Sequence, residues 1–258
     1  MHGTATCQRK SVSTTDIGAD SEMSFVDVAY AGQSFAALFA FNSYANLSVD
    51  NSTVSQSAFH GIAVQSKRAE TSGFLLTMRS STVSDSARTG LLILDAAADV
   101  AGSTFTGNGY EGINIQLSSY FTGVGTRVTD SDVHDNVRAG VALYVDPYLP
   151  ASRKPNGHLN NIHRNNFYRA PYLHHGVQLF SHKQHDDSDW SENFWGPDTG
   201  TRSCDPKYNF LLRRHQVTFT DVGFVTPING SSLGLPGVVG CTRDVVVTEN
   251  PALTPFAR

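Results

Sequence analysis

Apolar residues recur along this chain in a fixed arrangement with glycine. A short polar segment leads into one apolar residue, which we call the anchor, and a glycine that opens an apolar–x–apolar segment follows it. The separation from anchor to glycine is seven residues in four copies and nine in the fifth. The anchors are Val54, Val83, Phe105, Val133 and Phe167, and the glycines are Gly61, Gly90, Gly112, Gly140 and Gly176. Because the residues between these positions differ, the recurring separation indicates one repeated structural unit.

Each copy of the unit is predicted to contain short β-strands. Apolar and polar residues alternate after the glycine, and a further apolar residue lies five positions before each anchor, which is the period-two pattern of a strand. The polar links carry no apolar pattern with the period of a helix. Successive anchors are 22 to 34 residues apart, a spacing that fits one rung of a parallel β-solenoid.

Stacking of the rungs predicts which side chains face the core. The anchors lie over one another as an inward ladder, and alternation directs the residues between inward positions outward. The outward residues expected on the glycine-led strands are Ala63, Leu92, Asn114, Ala142 and Gln178, and a polar ladder is expected from Ser57, Ser86, Asn108 and Asn136. The glycines are interpreted as structural residues that relieve a bend or adopt a positive φ. Residues 20–41 are interpreted as an atypical first rung, in which Phe25 lies seven residues before Gly32.

With these ladders, the chain resembles right-handed parallel β-helix repeat proteins, the fold of pectate lyases and polygalacturonases. The segment Asn193-Phe194-Trp195-Gly196 is similar to the Asn-aromatic-Trp-Gly segment often found where such a repeat region ends. The resemblance implies an all-β fold, a single-stranded right-handed parallel β-helix of about six rungs with a C-terminal cap. We assign residues 1–19 to an N-terminal extension, 20–200 to the β-helix and 201–258 to the cap. The fold hosts lyases, hydrolases, epimerases and binding modules, so it does not fix a function.

Composition narrows the class of protein. Charged residues make up 16% of the chain and the net charge is −4, so the basic footprint of a nucleic-acid-binding protein is absent. No apolar run reaches the length of a membrane span. The N-terminal sequence carries no signal-peptide pattern, so we expect an internal piece of a longer chain if the protein is secreted. The abundance of Ser, Thr, Asn and Gly favours a secreted module or a cell-surface ectodomain, and we expect it to be monomeric.

Two of the three cysteines, Cys204 and Cys241, follow the Trp-Gly segment. A disulfide between them would hold the cap on the last rung, and Cys7 would then be unpaired or bonded outside this chain. The sequence contains no CxxC spacing, which argues against a zinc ribbon.

Candidate ligand-binding residues lie on the links that follow the glycine-led strands. These links vary in length between copies, and stacked rungs place all of them on one edge of the solenoid, where a rigid scaffold usually carries its binding loops. Aromatic rings stack on sugar rings and cations pair with carboxylates, so these residues suit an acidic sugar. The alternative is a structural role, in which these side chains only cover the edge of the solenoid. The candidates are Tyr120, Phe121, Tyr144, Tyr148, Arg153 and Lys154.

One further link, residues 182–189, combines two imidazoles with three carboxylates. Such density suits a divalent metal or a general acid–base pair, and the alternative is a solvated acidic loop. The candidate catalytic residues are His182, Lys183, His185, Asp186 and Asp187. A metalloenzyme spacing such as His-Glu-x-x-His does not occur in the sequence. We therefore assign no metal site and no cofactor, and calcium would be expected only for a lyase.

The outward positions of the glycine-led strands bear on the choice of function. None of the five residues expected there is titratable, so a paired-carboxylate mechanism lacks its parts on that face. We therefore expect a non-catalytic extracellular module that binds a glycan or another protein through the edge formed by the variable links, as in adhesion proteins of animal cell junctions, which carry similar repeats. The alternative is a polysaccharide lyase or glycoside hydrolase that acts on an acidic polysaccharide.

The end of the repeat region generates a first prediction. Phe194 lies 27 residues after the last anchor, so we expect Phe194 in the anchor ladder and Trp195 closing the core beneath it. Truncating a buried aromatic residue costs about 3–5 kcal/mol, and each rung of a solenoid contacts only its neighbours. In limited proteolysis, Trp195→Ala should therefore increase cleavage after about residue 180 and leave the central rungs folded. Loss of all rungs together would contradict this assignment.

Overall fold

A computed structural model describes residues 3–5, 12–15, 21–32, 34–41, 46–66, 73–118, 121, 124–145, 160–168, 175–181, 193–195 and 257 of the chain. For residues 3–5, 12–15, 145, 168, 175–181 and 194–195 the description is limited to the backbone. Within these residues the regular structure consists of β-strands in three parallel sheets, without a helix.

The strands belong to three sheets, which we call A, B and C. Sheet A contains β1 (Gly3–Ala5), β4 (Val26–Ala29), β7 (Thr53–Ser55), β10 (Thr82–Ser84), β13 (Thr104–Thr106), β16 (Asp132–His134), β19 (Asn166–Tyr168) and β21 (Phe194–Trp195). Sheet B contains β2 (Val12–Thr15), β5 (Ala36–Phe41), β8 (His60–Gln65), β11 (Leu91–Leu94), β14 (Glu111–Leu117), β17 (Ala139–Val145) and β20 (His175–Ser181). Sheet C contains β3 (Ser21–Ser24), β6 (Leu47–Asp50), β9 (Leu76–Arg79), β12 (Ala98–Ala101), β15 (Arg127–Thr129) and β18 (Asn161–His163).

The order of the strands makes each rung of the solenoid. From β1 to β18 the chain passes through sheets A, B and C in turn six times, and three more strands follow. This confirms the predicted parallel β-helix of about six rungs. Strands β1 and β2 pair in parallel with β4 and β5, so stacked strands already occur within residues 1–19. The predicted boundary at residue 200 lies outside the described residues.

The anchors form the inward ladder that their spacing predicts. In sheet A, Val54, Val83, Phe105, Val133 and Phe167 are paired in register from rung to rung, and each is at most 1% exposed. A second inward ladder on sheet B is formed by Ile62, Leu91, Ile113 and Val141, all fully buried. The core is therefore a continuous apolar column inside the three sheets.

Both ends of the anchor ladder depart from the common spacing, and the prediction that Phe194 joins the ladder is wrong. Val28, not Phe25, pairs with Val54, and Phe25 is 58% exposed. At the other end, Phe167 pairs with Trp195, so the residue that continues the ladder is Trp195 instead of Phe194. The separation between anchor and glycine is longer in the last copy. The common spacing therefore does not fix to one residue which position of the following strand pairs with Phe167.

The predicted polar ladder at the corner between sheets A and B is confirmed. Ser57, Ser86, Asn108 and Asn136 are all at most 2% exposed. The amide of Ser86 donates to Oδ1 of Asn108 at 3.1 Å, and the amide of Asn108 donates to Oδ1 of Asn136 at 3.1 Å. The Nδ2 groups of the two asparagines donate to carbonyls of the preceding rung at 3.3 and 3.0 Å. Each asparagine side chain therefore bonds one backbone amide and one backbone carbonyl of the preceding rung.

A second polar ladder occupies the corner between sheets C and A. Its members are Ser52, Ser81, Ser103, Ser131, Asn165 and Asn193. The backbone amide of each of the first five donates to the side-chain oxygen of the next member, at 2.9 to 3.3 Å. The serine hydroxyls donate back to the carbonyl two residues earlier, for example Ser131 to Thr129 at 2.8 Å. Buried corner amides thus find acceptors where the sheets provide none.

The repeat glycines at the start of the sheet B strands are explained by close packing. No left-handed φ occurs at Gly61, Gly90 or Gly112, whereas a Cβ on any of them would lie within 3 Å of atoms on the next rung. Left-handed φ is found instead at the corners, for example 48° at Asn51 and 53° at Asp85. Of the two alternatives expected for these three glycines, a positive φ is therefore wrong, and their structural role is to let neighbouring rungs approach.

This packing predicts a large difference between two glycine substitutions. In Gly90→Ala the new Cβ would lie 2.7 Å from the carbonyl oxygen of Gly112 and 2.8 Å from Nδ2 of Asn108, so overpacking should lower the free energy of unfolding by about 1–3 kcal/mol. Gly73→Ala is the control, because nothing lies within 4 Å of its Cβ. Chemical denaturation of both variants measures the difference, and equal stability would show that the contact at Gly90 relaxes freely.

Candidate functional site

The outer face of sheet B gathers the polar and charged side chains that could bind a ligand. Ile113 and Ile115 point into the core, so Asn114 between them points away from it. Nδ2 of Asn114 donates to Oε2 of Glu111 at 3.2 Å, which places Glu111 on the same face, immediately before a repeat glycine. From β8 to β17, the outer face of sheet B comprises His60, Ala63, Gln65, Thr89, Leu92, Leu94, Glu111, Asn114, Gln116, Ala142 and Tyr144.

Glu111 is the centre of a buried polar cluster on this face. Its side chain is 3% exposed, and Oε2 accepts a hydrogen bond from Oγ1 of Thr89 at 2.9 Å in addition to the one from Asn114. Oε1 lies 3.9 Å from a guanidinium nitrogen of Arg138. The carboxyl group is thus bonded by partners on the rungs before and after its own, which fixes its position.

A column of alternating aromatic and arginine side chains borders the cluster. Its members are Phe59, Arg88, Tyr110 and Arg138, each two residues before a repeat glycine, and we call it the cation–π column. The guanidinium of Arg88 lies 3.8 Å from the Phe59 ring centroid, and that of Arg138 lies 3.7 Å from the Tyr110 ring centroid. Both distances are well inside the range of a cation–π contact. Because the side chain of Arg138 is still 45% exposed, part of the guanidinium faces solvent.

The face changes character along the solenoid axis. At its N-terminal end Ala36, Ala63 and Leu92 form a buried apolar cluster with Phe35, Phe39 and Leu94 packed against it. His60 lies at the border of this cluster, with the rings of Phe35 and Phe59 at centroid distances of 5.4 and 4.9 Å. Polar groups become frequent from Thr89 onward. The outer face of sheet B is therefore apolar at one end and hydrogen-bonding at the other.

Tyr144 is the residue of this face that the sequence predicted as a ligand contact. It is half-buried, and it pairs in register with Gln116. Burial and then the negative charge of Glu111 raise the pKa of Tyr144 to about 12, and the charge of Arg138 opposes the shift. The phenol therefore keeps its proton at all physiological pH values and remains a hydrogen-bond donor.

Other predicted site residues have different outcomes. Phe121 is fully buried in the main core, so its prediction as a ligand contact is wrong: the link that carries it folds this ring inward. Outside the described residues lie Tyr120, Tyr148, Arg153, Lys154, His182, Lys183, His185, Asp186, Asp187, Cys7, Cys204 and Cys241. The Cys204–Cys241 disulfide and the roles of these residues stay predictions. In the described part of the chain, no cluster of three His, Cys, Asp or Glu is placed to bind a metal, and no helix could span a membrane.

The residues that sequence reasoning missed share a position in the repeat. Arg88, Tyr110 and Arg138 lie two residues before a glycine, and Glu111 lies one residue before. Treating the strand as starting at the glycine excluded them. Comparing the two positions before each glycine across copies is the signal that would have placed the two arginines and the carboxyl on one face.

The links of variable length all start from the same edge of sheet B, as predicted. Each sheet B strand from β5 to β17 is followed by a sheet C strand, and the intervening segments range from residues 95–97 to residues 146–160. The outer face of sheet B therefore extends from the cation–π column to the strand ends from which the variable links start.

A family model described as right handed beta helix region matches residues 36–194 of the chain. This range runs from the first residue of β5 to the first residue of β21, so it contains both the cluster around Glu111 and the cation–π column. No curated protein and no solved structure matches the chain. The similarity therefore concerns the fold and names no ligand or reaction.

The environment of His60 predicts a loss of stability in acid. Burial and then the charge of Arg88 lower the pKa of His60 from 6.5 to about 4, against a backbone hydrogen bond with Thr89 that raises it. Between these two pH values the unfolded chain binds more protons than the folded one, so stability is full above about pH 6.5 and falls toward pH 4, by about 3 kcal/mol at most. Denaturation at a series of pH values should show this slope in the wild type and a shallower one in His60→Phe. An unchanged slope in the variant would assign the acid sensitivity to other groups.

Proposed function

Since the chain belongs to the right-handed beta-helix family, whose stacked rungs hold an outer face in fixed register, we propose that it is a non-catalytic module that binds a glycan bearing carboxylate or sulfate groups on the outer face of sheet B. The observation that carries the proposal is the cation–π column. It fixes two arginines beside a hydrogen-bonding surface on a rigid scaffold.

The column favours an anionic ligand because its cations are held and partly exposed. A guanidinium that lies against an aromatic ring keeps the edges that carry its N–H groups available, and those groups match a carboxylate or sulfate in geometry. Arg88 and Arg138 carry two positive charges, and Glu111 carries the one carboxyl group of the described outer face of sheet B. The local balance therefore favours an anion although the whole chain is acidic.

The spacing of the column favours an extended chain. Arg88 and Arg138 are two rungs apart, with Tyr110 on the rung between them. Neighbouring strands are about 4.8 Å apart, so the two arginines repeat at about 10 Å along the axis, which is close to the length of a disaccharide in an extended polysaccharide. A chain with an anionic group on every second sugar would meet both arginines.

The amide side chains on the face supply the neutral part of the contact. Gln116 donates to Oδ1 of Asn114 at 3.2 Å, and the residue Gln116 is exposed. Sugar hydroxyl groups both donate and accept hydrogen bonds, and the side-chain amides of Asn and Gln can pair with them in both ways. Tyr144 adds a phenol that stays protonated. Together these groups give a face that bonds hydroxyls and anions in a fixed order.

The alternative function is a polysaccharide lyase or glycoside hydrolase, and Glu111 is the observation that favours it. Glycoside hydrolysis uses two carboxyl groups, and the described outer face of sheet B carries one. That one is buried and already accepts bonds from Thr89 and Asn114. A group committed to the fold in this way is poorly placed to move a proton of a substrate, so binding is the better-supported function.

Extracellular location and a monomeric state remain part of the proposal. A face built for polysaccharide requires access to polysaccharide, which is abundant at cell surfaces and in the extracellular matrix. The low fraction of charged residues and the many Ser, Thr and Asn residues of the chain support this location. An extracellular protein partner at the same face is the second outcome that the experiment below distinguishes.

The proposal predicts a specific effect of removing one arginine. Arg138→Gln should weaken binding to heparin, polygalacturonate or hyaluronate by at least about tenfold, since a charge-assisted hydrogen bond contributes about 1.5–3 kcal/mol. Affinity of the whole chain should also fall as salt increases. Arg127→Gln is the matched control, because Arg127 is an exposed arginine near a ring, that of Phe74 at 5.7 Å, but lies on sheet C.

Three results would contradict the proposal. Equal losses in both arginine variants would indicate a nonspecific charge effect, and absence of binding to all three polysaccharides would point to a protein partner. Release of unsaturated or reducing products by the wild type, lost in Glu111→Gln, would establish the enzyme instead.

A further inference from the structure

The outer face of sheet A carries a second regular arrangement of side chains, unrelated to the cation–π column. Three successive strands, β7, β10 and β13, each present two hydroxyl groups around an inward anchor. We call these six residues the hydroxyl array: Thr53, Ser55, Thr82, Ser84, Thr104 and Thr106.

The array is a lattice because the register does not slip. Thr53, Thr82 and Thr104 pair with one another in one column, and Ser55, Ser84 and Thr106 pair in the other. The hydroxyls therefore repeat at about 4.8 Å along the solenoid axis and at about 6.7 Å across the strand. All six are partly exposed.

Five of these six hydroxyls make no bond, within the described part of the chain, that holds the fold together. Among the described residues, five of the six make no hydrogen bond, and the sixth, on Thr106, lies 3.2 Å from Nδ1 of His134. The serines of the corner ladder behave differently, because Ser81, Ser103 and Ser131 each both donate and accept within the protein. Strand propensity explains threonine on a sheet but does not explain Ser55 and Ser84.

The borders of the array limit what could lie on it. Asp27 precedes it in the first column, and Asp132 and His134 follow it on the next rung. Between them no charged residue interrupts the six positions. The array is thus a neutral surface, about three rungs long, that can both donate and accept hydrogen bonds.

Two exposed aromatic residues stand at the corners of sheet A on the rung next to the array. Phe25 and Tyr30 flank β4 and are 58% and 61% exposed. Both have a φ of 57°, a conformation that is unfavourable for a bulky residue. At the same corners of the next rung the chain uses Asn51 and Gln56. Left-handed φ recurs at the corners of other rungs, so this rung is distinguished by carrying exposed aromatic rings where the next rung carries polar side chains.

From these features we infer that the outer face of sheet A binds a neutral β-linked polysaccharide laid along the solenoid axis, with one sugar residue over each rung. The rise of about 4.8 Å between rungs is close to the length of one pyranose in an extended chain. The free hydroxyls bond the sugar hydroxyls, and the rings of Phe25 and Tyr30 supply apolar faces on which a pyranose stacks.

The ligand should be presented as a rigid surface. A flat face with no charged group gains affinity by making many weak contacts in register, and a stiff polysaccharide loses less entropy on binding than a flexible one. Cellulose and chitin have this chemistry. The inference does not rest on the proposed function, since it concerns another sheet and an uncharged ligand.

Sedimentation of the full chain with microcrystalline cellulose and with chitin, in high salt, tests the inference. The chain should bind at least one of them, and the triple variant Thr53→Val, Thr82→Val, Thr104→Val should bind about tenfold more weakly, because it loses one column of hydroxyls at nearly constant shape. Thr129→Val is the control, since Thr129 is a partly exposed threonine of sheet C with no hydroxyl partner among the described residues. It should bind as the wild type does.

Further variants separate the two faces. Tyr30→Ser should weaken sedimentation with the insoluble polysaccharide, whereas Arg138→Gln should leave it unchanged in high salt. Thermal unfolding of each variant shows that the rungs remain intact. Unaltered binding by the triple variant, an equal loss in Thr129→Val, or absence of binding to both solids would overturn the inference. Inhibition of ice recrystallisation without polysaccharide binding would also overturn it and assign the lattice to ice.

Discussion

The hydrogen bond from a corner amide to a side-chain oxygen one rung further on is the interaction on which the rest of this structure depends. At a corner the chain leaves one sheet before it joins the next, so its buried amides have no sheet partner. The serine and asparagine ladders supply the acceptor. Since an unsatisfied buried amide is costly, this bond fixes how one rung sits on the next, and the same register then fixes which side chains share an outer face.

Fixed register makes functional sites out of separate copies. Thr89, Glu111 and Arg138 belong to three different copies, yet they form one bonded cluster. The same rule stacks Arg88 and Arg138 on aromatic rings of neighbouring rungs. Neither arrangement depends on the conformation of a loop, because the stacked rungs already fix the backbone that carries these side chains. The ligand specificity of such a protein can therefore change through single substitutions at the same position of successive rungs.

The sequence was sufficient for the features that recur and insufficient for those that do not. The anchors and the ladder from Ser57 to Asn136 repeat both in spacing and in residue type, so their burial could be predicted. The cation–π column repeats in spacing but alternates between aromatic and arginine residues, so a search for one residue type at a repeated position does not detect it. Phe121 was placed on the surface because an aromatic residue on a long link has no periodic partner to reveal that it turns inward. Trp195 was displaced by one residue because the last copy departs from the common length.

The ladder bonds also give the solenoid a direction. The amides of Ser81, Ser103 and Ser131 each donate to a side chain that comes later in the sequence. Removing a rung from the N-terminal side would leave a hydroxyl or amide oxygen that water can reach, whereas removing one from the C-terminal side would take away the acceptor of a buried amide. The two ends of the helix are therefore inequivalent. A chain of this kind can therefore lose a rung at its N-terminal end at a lower cost in stability than at its C-terminal end.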